Sequence, residues 1–223
     1  MSEVTALLEL DDPVRGRLVV GAGQTVVLLG PSGAGKTRLI RALLGLEGSG
    51  PEAVLAVRGR PARPRDLAAL VGWVPEGDGV FLSDSIWDNV AHPPGVAPTD
   101  SDLARDALDL VGLADRAREP VANLPRGGRR RVALARALAS RRPLLIVDGE
   151  LDPTLWALLP GVLEQAPGVE AALLATATAG ERAWQADTVA LVAADRLVAQ
   201  APLAELVDST DPQVRSVLSW VQP

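Results

Sequence analysis

The chain of 223 residues contains no cysteine and no tyrosine, and it has one phenylalanine, one histidine and one lysine. The lack of cysteine excludes disulfide bonds and cysteine metal sites. The formal net charge of -6 argues against a general nucleic-acid surface, so we predict no nucleic-acid partner. Apolar runs stay far shorter than the ~20 residues that cross a bilayer, and the acidic N-terminus lacks the basic and apolar regions of a signal peptide. We therefore expect a soluble cytoplasmic protein.

Hydrophobic residues make up 48% of the chain, enough for a sizeable core, and they alternate between strand-like and helix-like segments. Apolar runs predict strands within residues 25–30, 68–79, 143–149, 170–178 and 188–200. Apolar residues at helical spacing predict helices within 36–46, 101–113 and 129–139. We place a hairpin turn at Ala194-Asp195 and a helix cap at Thr99 or Asp100. This alternation predicts an α/β fold with a mostly parallel sheet.

The only lysine lies in GPSGAGKT, between the first of these strands and the first helix. This is the P-loop pattern in its required strand–loop–helix context. Glycines let successive backbone N–H groups point at phosphate oxygens, and the helix adds its positive end. We predict that the loop binds the nucleotide through Gly30, Pro31, Ser32, Gly33, Ala34, Gly35, Lys36 and Thr37. A glycine-rich turn that binds nothing is the alternative, but such a turn does not require a Lys-Thr pair.

Two side chains are candidates for supporting Mg²⁺ at this loop. The Thr37 hydroxyl can take a coordination position on the ion. Asp148 ends the buried segment PLLIVD and can orient the ion through water, although an aspartate before a glycine is also a common strand-end turn.

Several segments together resemble the ATP-binding subunit of an ABC transporter. The loop resembles the Walker A motif, and LPRGGRRRVALARAL aligns without gaps with the family's signature helix, LSGGQRQRVALARAL. The likeness extends over almost the whole chain. The other matching segments are VGWVPE (71–76, the Q-loop strand), PLLIVD (143–148, Walker B), Asp152 (the D-loop aspartate) and TVALVAADRLVAQAPLAEL (188–206, the closing hairpin and helix).

The resemblance implies a P-loop NTPase fold of the RecA type, with a mostly parallel sheet, an antiparallel β part and a helical subdomain. We expect a single domain over residues 1–223, with the helical subdomain at approximately 77–140. In the family, two subunits enclose two ATP molecules between the Walker motifs of one chain and the signature of the other. The implied cofactors are ATP and Mg²⁺. The implied partners are a membrane permease and a second ATP-binding subunit, identical or different, which would place the chain in the cytoplasm or peripherally at the inner face of the cell membrane.

The residues of the family's catalytic machinery are altered. Gly149 occupies the position of the catalytic glutamate, and Ala177 occupies that of the switch histidine. Glu76 replaces the glutamine of the Q-loop; it can still ligate Mg²⁺, but it adds negative charge beside the phosphates. We therefore assign no catalytic residue, and we leave ATP hydrolysis open.

The signature is altered as well. Pro125 replaces the family's serine and has neither a hydroxyl nor a backbone N–H. Arg126 replaces the first signature glycine; it either meets a phosphate as a charged donor or lies in solvent. Residues 1–29 contain no aromatic side chain that could stack on adenine.

Two functional hypotheses follow. The first is an ATP-binding transporter subunit with impaired or absent hydrolysis, and the second is a scaffold or regulatory protein in which nucleotide is optional. Residues 79–94 and 208–218 also resemble parts of Mla/Mce-type lipid-transport ATPases, whereas residues 120–128 resemble the segment before the signature in exporters, so the branch of the family stays open.

Overall fold

The computed structural model describes residues 6–48, 53–67, 69–77, 79–92, 97–149, 153–177 and 185–221. The chain divides into two compact units. The first unit comprises residues 1–70, 148–150 and 170–223, and the second comprises 71–147 and 151–169. Among the described residues, no helix is both long enough and apolar enough to cross a membrane.

The helices and strands follow in this order: β1 (Ala6–Asp12), β2 (Gly16–Gly21), β3 (Thr25–Leu29), α1 (Lys36–Leu43), β4 (Val54–Val57), β5 (Arg60–Ala62), α2 (Pro64–Leu67), β6 (Val71–Val74), α3 (Ile86–Ala91), α4 (Ser101–Leu110), α5 (Arg126–Ala139), β7 (Leu144–Val147), α6 (Pro153–Gln165), β8 (Ala171–Thr176), β9 (Thr188–Ala193), β10 (Arg196–Ala201), α7 (Leu203–Val207) and α8 (Pro212–Val221). Short 3-10 turns cover Ala114–Arg116 and Val121–Asn123.

The first unit contains an antiparallel sheet with the strand order β2-β1-β4-β5. The turn from β1 to β2 is held by Asp12, which is 1% exposed and accepts hydrogen bonds from the backbone N–H groups of Val14 at 2.8 Å and Arg15 at 3.1 Å. An aspartate that bonds the backbone two and three residues ahead stabilises a turn locally. This sheet is the antiparallel part that the resemblance implied.

The same unit contains four strands in the order β10-β9-β3-β8. β3 lies in the middle and runs parallel to both β8 and β9, while β10 returns antiparallel to β9. Every residue of β8 is buried, as is β3 after its first residue. Such buried, mostly apolar strands are typical of parallel sheets covered on both faces. The predicted strands 25–30, 170–178 and 188–200 are confirmed, with ends that differ by a few residues.

The second unit is mainly helical and contains the parallel pair β6–β7. α5 packs against β6, α3 and α4. α4 is capped as predicted by Asp100, whose carboxylate accepts from the N–H groups of Asp102 and Leu103. α5 begins at Arg126, three residues before the predicted start, because Pro125 caps it and accepts the first helical hydrogen bond from the Arg129 N–H at 3.0 Å. The helical subdomain boundary at 77–140 remains a prediction.

Gly72 in β6 gives a direct test of the packing of α5. A Cβ added to Gly72 would lie 2.7 Å from the carbonyl oxygen of Ala137 in α5. Because both groups are backbone, we expect Gly72→Ala to lower the free energy of unfolding by about 1–3 kcal/mol, as overpacking does elsewhere. Urea denaturation measures this change.

Gly77→Ala is the matched control, because a Cβ there meets nothing within 4 Å. Its unfolding free energy should stay within about 0.5 kcal/mol of the wild type. Equal effects of the two substitutions would contradict the packing of α5 on β6.

Candidate nucleotide-binding site

The phosphate loop connects β3 to α1, as the sequence predicts. β3 ends at Leu29 and α1 begins at Lys36, so the helix starts within the motif itself. Gly33 and Gly35 have φ angles of 79° and 103°, in the left-handed region that favours glycine. Gly35 is the N-cap residue of α1 and makes no side-chain capping bond, and a helix N-terminus of this kind suits an anion.

Close contacts require glycine at two loop positions. A Cβ on Gly30 would overlap the carbonyl oxygen of Val192 in β9, and a Cβ on Gly35 would overlap the carboxylate of Asp195. The backbone N–H of Asp195 also donates to the carbonyl of Ala34 at 2.8 Å. The turn between β9 and β10 therefore packs directly on the phosphate loop.

The Lys36 ammonium is held inside the curve of the loop. Its Nζ donates to the carbonyl oxygens of Gly30 at 2.6 Å and Pro31 at 3.0 Å. The side chain is half-buried, whereas Ser32 and Gly33 are exposed at the tip of the loop. A compact ammonium with three donors can make these contacts from one position, which a planar guanidinium cannot reproduce.

The structure brings Thr37 and Asp148 together. The Thr37 hydroxyl donates to Asp148 Oδ1 at 2.9 Å, and Asp148 is 1% exposed at the end of β7. Hydroxyl and carboxylate oxygens are ligands that suit Mg²⁺, which is usually bound by one or two protein groups plus substrate phosphates. The donor set and the glycine loop thus fit a magnesium nucleotide. Glu76, the third predicted ligand, is exposed and lies two residues after β6, in the second unit.

The structure describes Gly149 and Ala177, the residues that we aligned by sequence with the family's base and switch residue. Gly149 has a φ of 90°, a conformation that residues with a side chain rarely adopt. Ala177 follows β8 directly and is half-buried. Neither has a side chain that can accept a proton. Glu150 and Asp152 lie outside the described residues.

The signature segment forms the start of α5. Pro125 is exposed and makes no side-chain capping bond, and Arg126 is exposed at the first helical position. The Arg129 guanidinium folds back and donates to the carbonyls of Leu124 at 3.0 Å and Ala122 at 3.2 Å. These bonds stabilise the turn that leads into the helix.

Two arginines of α5 hold the loop that carries Glu76, an arrangement that we did not predict from sequence. Arg130, 3% exposed, donates to the Pro75 carbonyl at 2.5 Å, and Arg136 donates to the Gly79 carbonyl at 2.8 Å. Burial lowers the pKa of Arg136 from its ordinary value. The signal for Arg130 was its helical spacing with two leucines, Leu134 and Leu138, which puts it on the buried face.

Comparison with known proteins identifies the family. The family model described as ABC transporter matches residues 16–152, more than half of the chain. The chain belongs to the ABC transporter family, as the motifs predicted.

Several curated relatives are similar over most of this chain. The methionine import ATP-binding protein MetN of Mesorhizobium japonicum is 36% identical over 226 residues, which cover 92% of this chain and 60% of the relative. The aliphatic sulfonates import ATP-binding protein SsuB of Cupriavidus necator is 33% identical and covers 92% of this chain, with 67% of the relative covered. The Fe(3+) ions import ATP-binding protein FbpC of Streptomyces avermitilis is 39% identical over 146 residues, 62% of this chain and 42% of the relative. The chain thus spans about two fifths to two thirds of the length of these relatives.

Solved structures show the same fold. CbiO1 of Clostridium perfringens, part of an ABC transporter complex, superposes with a TM-score of 0.76 at 19% identity, covering 97% of this chain and 100% of the other. The ADP conformation of an ATP-binding cassette of an ABC transporter superposes with a TM-score of 0.78 at 13% identity, covering 96% of this chain and 98% of the other. The fold is therefore the α/β P-loop NTPase fold of ABC ATP-binding domains.

Proposed function

We propose that this chain is the ATP-binding subunit of an ABC-type transporter, that it binds ATP·Mg²⁺ through residues 30–37, and that its own hydrolysis is impaired or absent. It would act with a membrane permease, with a complete ATPase partner, or with both. The observation that carries this proposal is the contrast between a complete phosphate loop around Lys36 and the absence of a proton acceptor at Gly149.

In this proposal the residues of the loop bind the phosphates. Lys36 exchanges the carbonyls of Gly30 and Pro31 for β- and γ-phosphate oxygens, since charged acceptors bind an ammonium more strongly than carbonyls do. Thr37 and Asp148 are the groups that would hold Mg²⁺, and Glu76 is the proposed third ligand. Mg²⁺ would neutralise phosphate charge at the site.

Hydrolysis requires a group that positions and deprotonates water, and neither Gly149 nor Ala177 has a side chain that can do so. Loss of a positioned general base costs roughly 10²–10⁴-fold in rate. Gly149 and Ala177 remove two groups that act together, so their effects are not simply multiplied.

Composite sites then separate the two kinds of defect in a pair with a complete partner. One site would combine this chain's Walker motifs with the partner's intact signature, and it would lack a base. The other would combine the partner's glutamate and histidine with Pro125 and Arg126 of this chain. We propose that only the second site turns over.

The names of the relatives support import as the direction of transport, but they do not indicate one particular substrate. The relatives import methionine, sulfonates and Fe(3+), three different substrates, so we propose the direction and no substrate. The likeness to Mla/Mce-type ATPases remains a prediction about the branch of the family.

The alternative function is a non-catalytic scaffold, favoured by the simultaneous changes at Pro125, Gly149 and Ala177. Calorimetry with ATP, with and without Mg²⁺, separates the two, because a scaffold does not require nucleotide.

We predict that ATP binding depends on Lys36. Loss of its charge-assisted bonds should weaken binding by roughly 100-fold or more in Lys36→Ala, and Lys36→Arg should also bind poorly because a guanidinium does not fit. AMP should bind far more weakly than ATP, since no stacking aromatic precedes the loop. Calorimetric titration measures these affinities. Arg60→Ala, an exposed substitution on β5, is the control and should match the wild type. Equal affinities for AMP and ATP would contradict the proposal.

We predict that the purified chain turns over ATP far more slowly than the roughly 1–10³ s⁻¹ typical of enzymes. Gly149→Glu combined with Ala177→His should not restore the rate, because glutamate is strained at a φ of 90°. A coupled phosphate-release assay measures the rate, with Lys36→Ala correcting for contaminating ATPases. A wild-type rate inside the usual range would show that the catalytic residues lie elsewhere.

The same assay on a complex with a complete partner tests the composite sites. Turnover should survive Lys36→Ala in this chain and should be lost when the partner's P-loop lysine is replaced. The reverse dependence would contradict the assignment of the two sites.

A further inference from the structure

The two-residue turn between β9 and β10 places an acidic side chain beside the phosphate loop. Ala194 and Asp195 have φ angles of 48° and 63°, the left-handed pair that a tight two-residue hairpin requires. The Asp195 N–H donates to the Ala34 carbonyl at 2.8 Å. The sequence predicted the turn, but not its contact with the loop.

The Asp195 carboxylate pairs with the first turn of α1. Its Oδ2 lies 2.5 Å from the Arg38 guanidinium, and its Oδ1 faces Gly35 so closely that a Cβ there would overlap it. The Arg38 Nε also lies 3.7 Å from Glu47 Oε2, so the guanidinium forms ion pairs with two carboxylates. The side chains of Arg38 and Asp195 are 58% and 43% exposed, which leaves both free to rearrange.

The position of this pair has an electrostatic consequence. A helix N-terminus carries partial positive charge, which attracts anions and disfavours cations. Asp195 therefore places a negative charge beside the end of α1 where the nucleotide phosphates are proposed to bind. That charge repels a phosphate at this end, and the phosphate would compete with it for Arg38.

We propose that Asp195 is a specificity-determining residue of the nucleotide site, which lowers affinity for nucleoside polyphosphates by holding Arg38 and by placing a negative charge beside the positive end of α1. The proposal rests on nucleotide binding at residues 30–37. Arg38 is the cation that the phosphates gain when they displace Asp195. Since the competition depends on phosphate charge, it is strongest against ATP and weakest against AMP.

The test is calorimetric titration with ATP, ADP and AMP at low salt. Asp195→Asn keeps the shape, the backbone N–H and tolerance of the left-handed conformation, and it removes the charge. We expect it to tighten ATP binding roughly three- to tenfold, the scale of exposed charge pairs and helix-terminus effects, and to change AMP binding little. The gain should shrink at high ionic strength.

Arg38→Gln breaks the same ion pair and should change ATP affinity in the opposite direction. It removes the cation and leaves Asp195 uncompensated, so ATP binding should weaken. If the pair served only to stabilise the turn, both substitutions would weaken binding. The opposite signs therefore distinguish competition for phosphate from a structural role.

Glu170→Gln is the matched control. Glu170 pairs with Arg58 at 2.6 Å, and their side chains are 43% and 58% exposed, as in the Asp195–Arg38 pair. Glu170 precedes β8, so it lies at the opposite end of the parallel strands from the phosphate loop. ATP affinity should be unchanged in this variant. The inference would be overturned if Asp195→Asn changed ATP affinity no more than Glu170→Gln does, or if it weakened ATP binding. Neither result would affect the proposed dependence of ATP binding on Lys36. Failure of the wild type to bind ATP would overturn both this inference and the proposed function.

Discussion

The contact between the phosphate loop and β9 is the constraint on which the candidate site depends. β3 pairs in parallel with β9, and Gly30 lies against the Val192 carbonyl with no room for a side chain. The Asp195 N–H then bonds the carbonyl of Ala34 four residues along the loop. Because the loop is attached at both of these points, Lys36 and the N-terminus of α1 are positioned before any ligand arrives. Preorganised donors of this kind bind an anion without first having to be ordered.

Several features of the fold could be predicted because their signals are local. The P-loop pattern places β3 and α1 through consecutive residues, and the Ala194-Asp195 turn follows from two short apolar runs. The cap at Asp100 depends on N–H groups only two and three residues away. Each of these features depends on residues that are close together in the sequence, where residue propensity and the spacing of apolar residues are informative.

The features that were missed depend on partners distant in sequence or on weak patterns. The antiparallel strands β4 and β5 are short and partly exposed, so their alternation is poor, and α6 contains Pro160, which disfavours a helix assignment. Arg38 and Asp195 are 157 residues apart, and Arg130 meets a backbone carbonyl 55 residues away. Residue type does not specify such contacts until the sheet order is known.

The central proposal is that the chain binds ATP·Mg²⁺ and that its own hydrolysis is impaired or absent. Its physical basis is the contrast between Lys36, which is held in a formed loop, and Gly149, which has no side chain and a backbone that disfavours one. The most direct measurement is to incubate the chain with ATP and Mg²⁺, recover the complex by rapid gel filtration and identify the bound nucleotide by ion-exchange chromatography. The account predicts ATP, at a stoichiometry that Lys36→Ala abolishes. Conversion of that ATP to ADP at the roughly 1–10³ s⁻¹ typical of enzymes would contradict it.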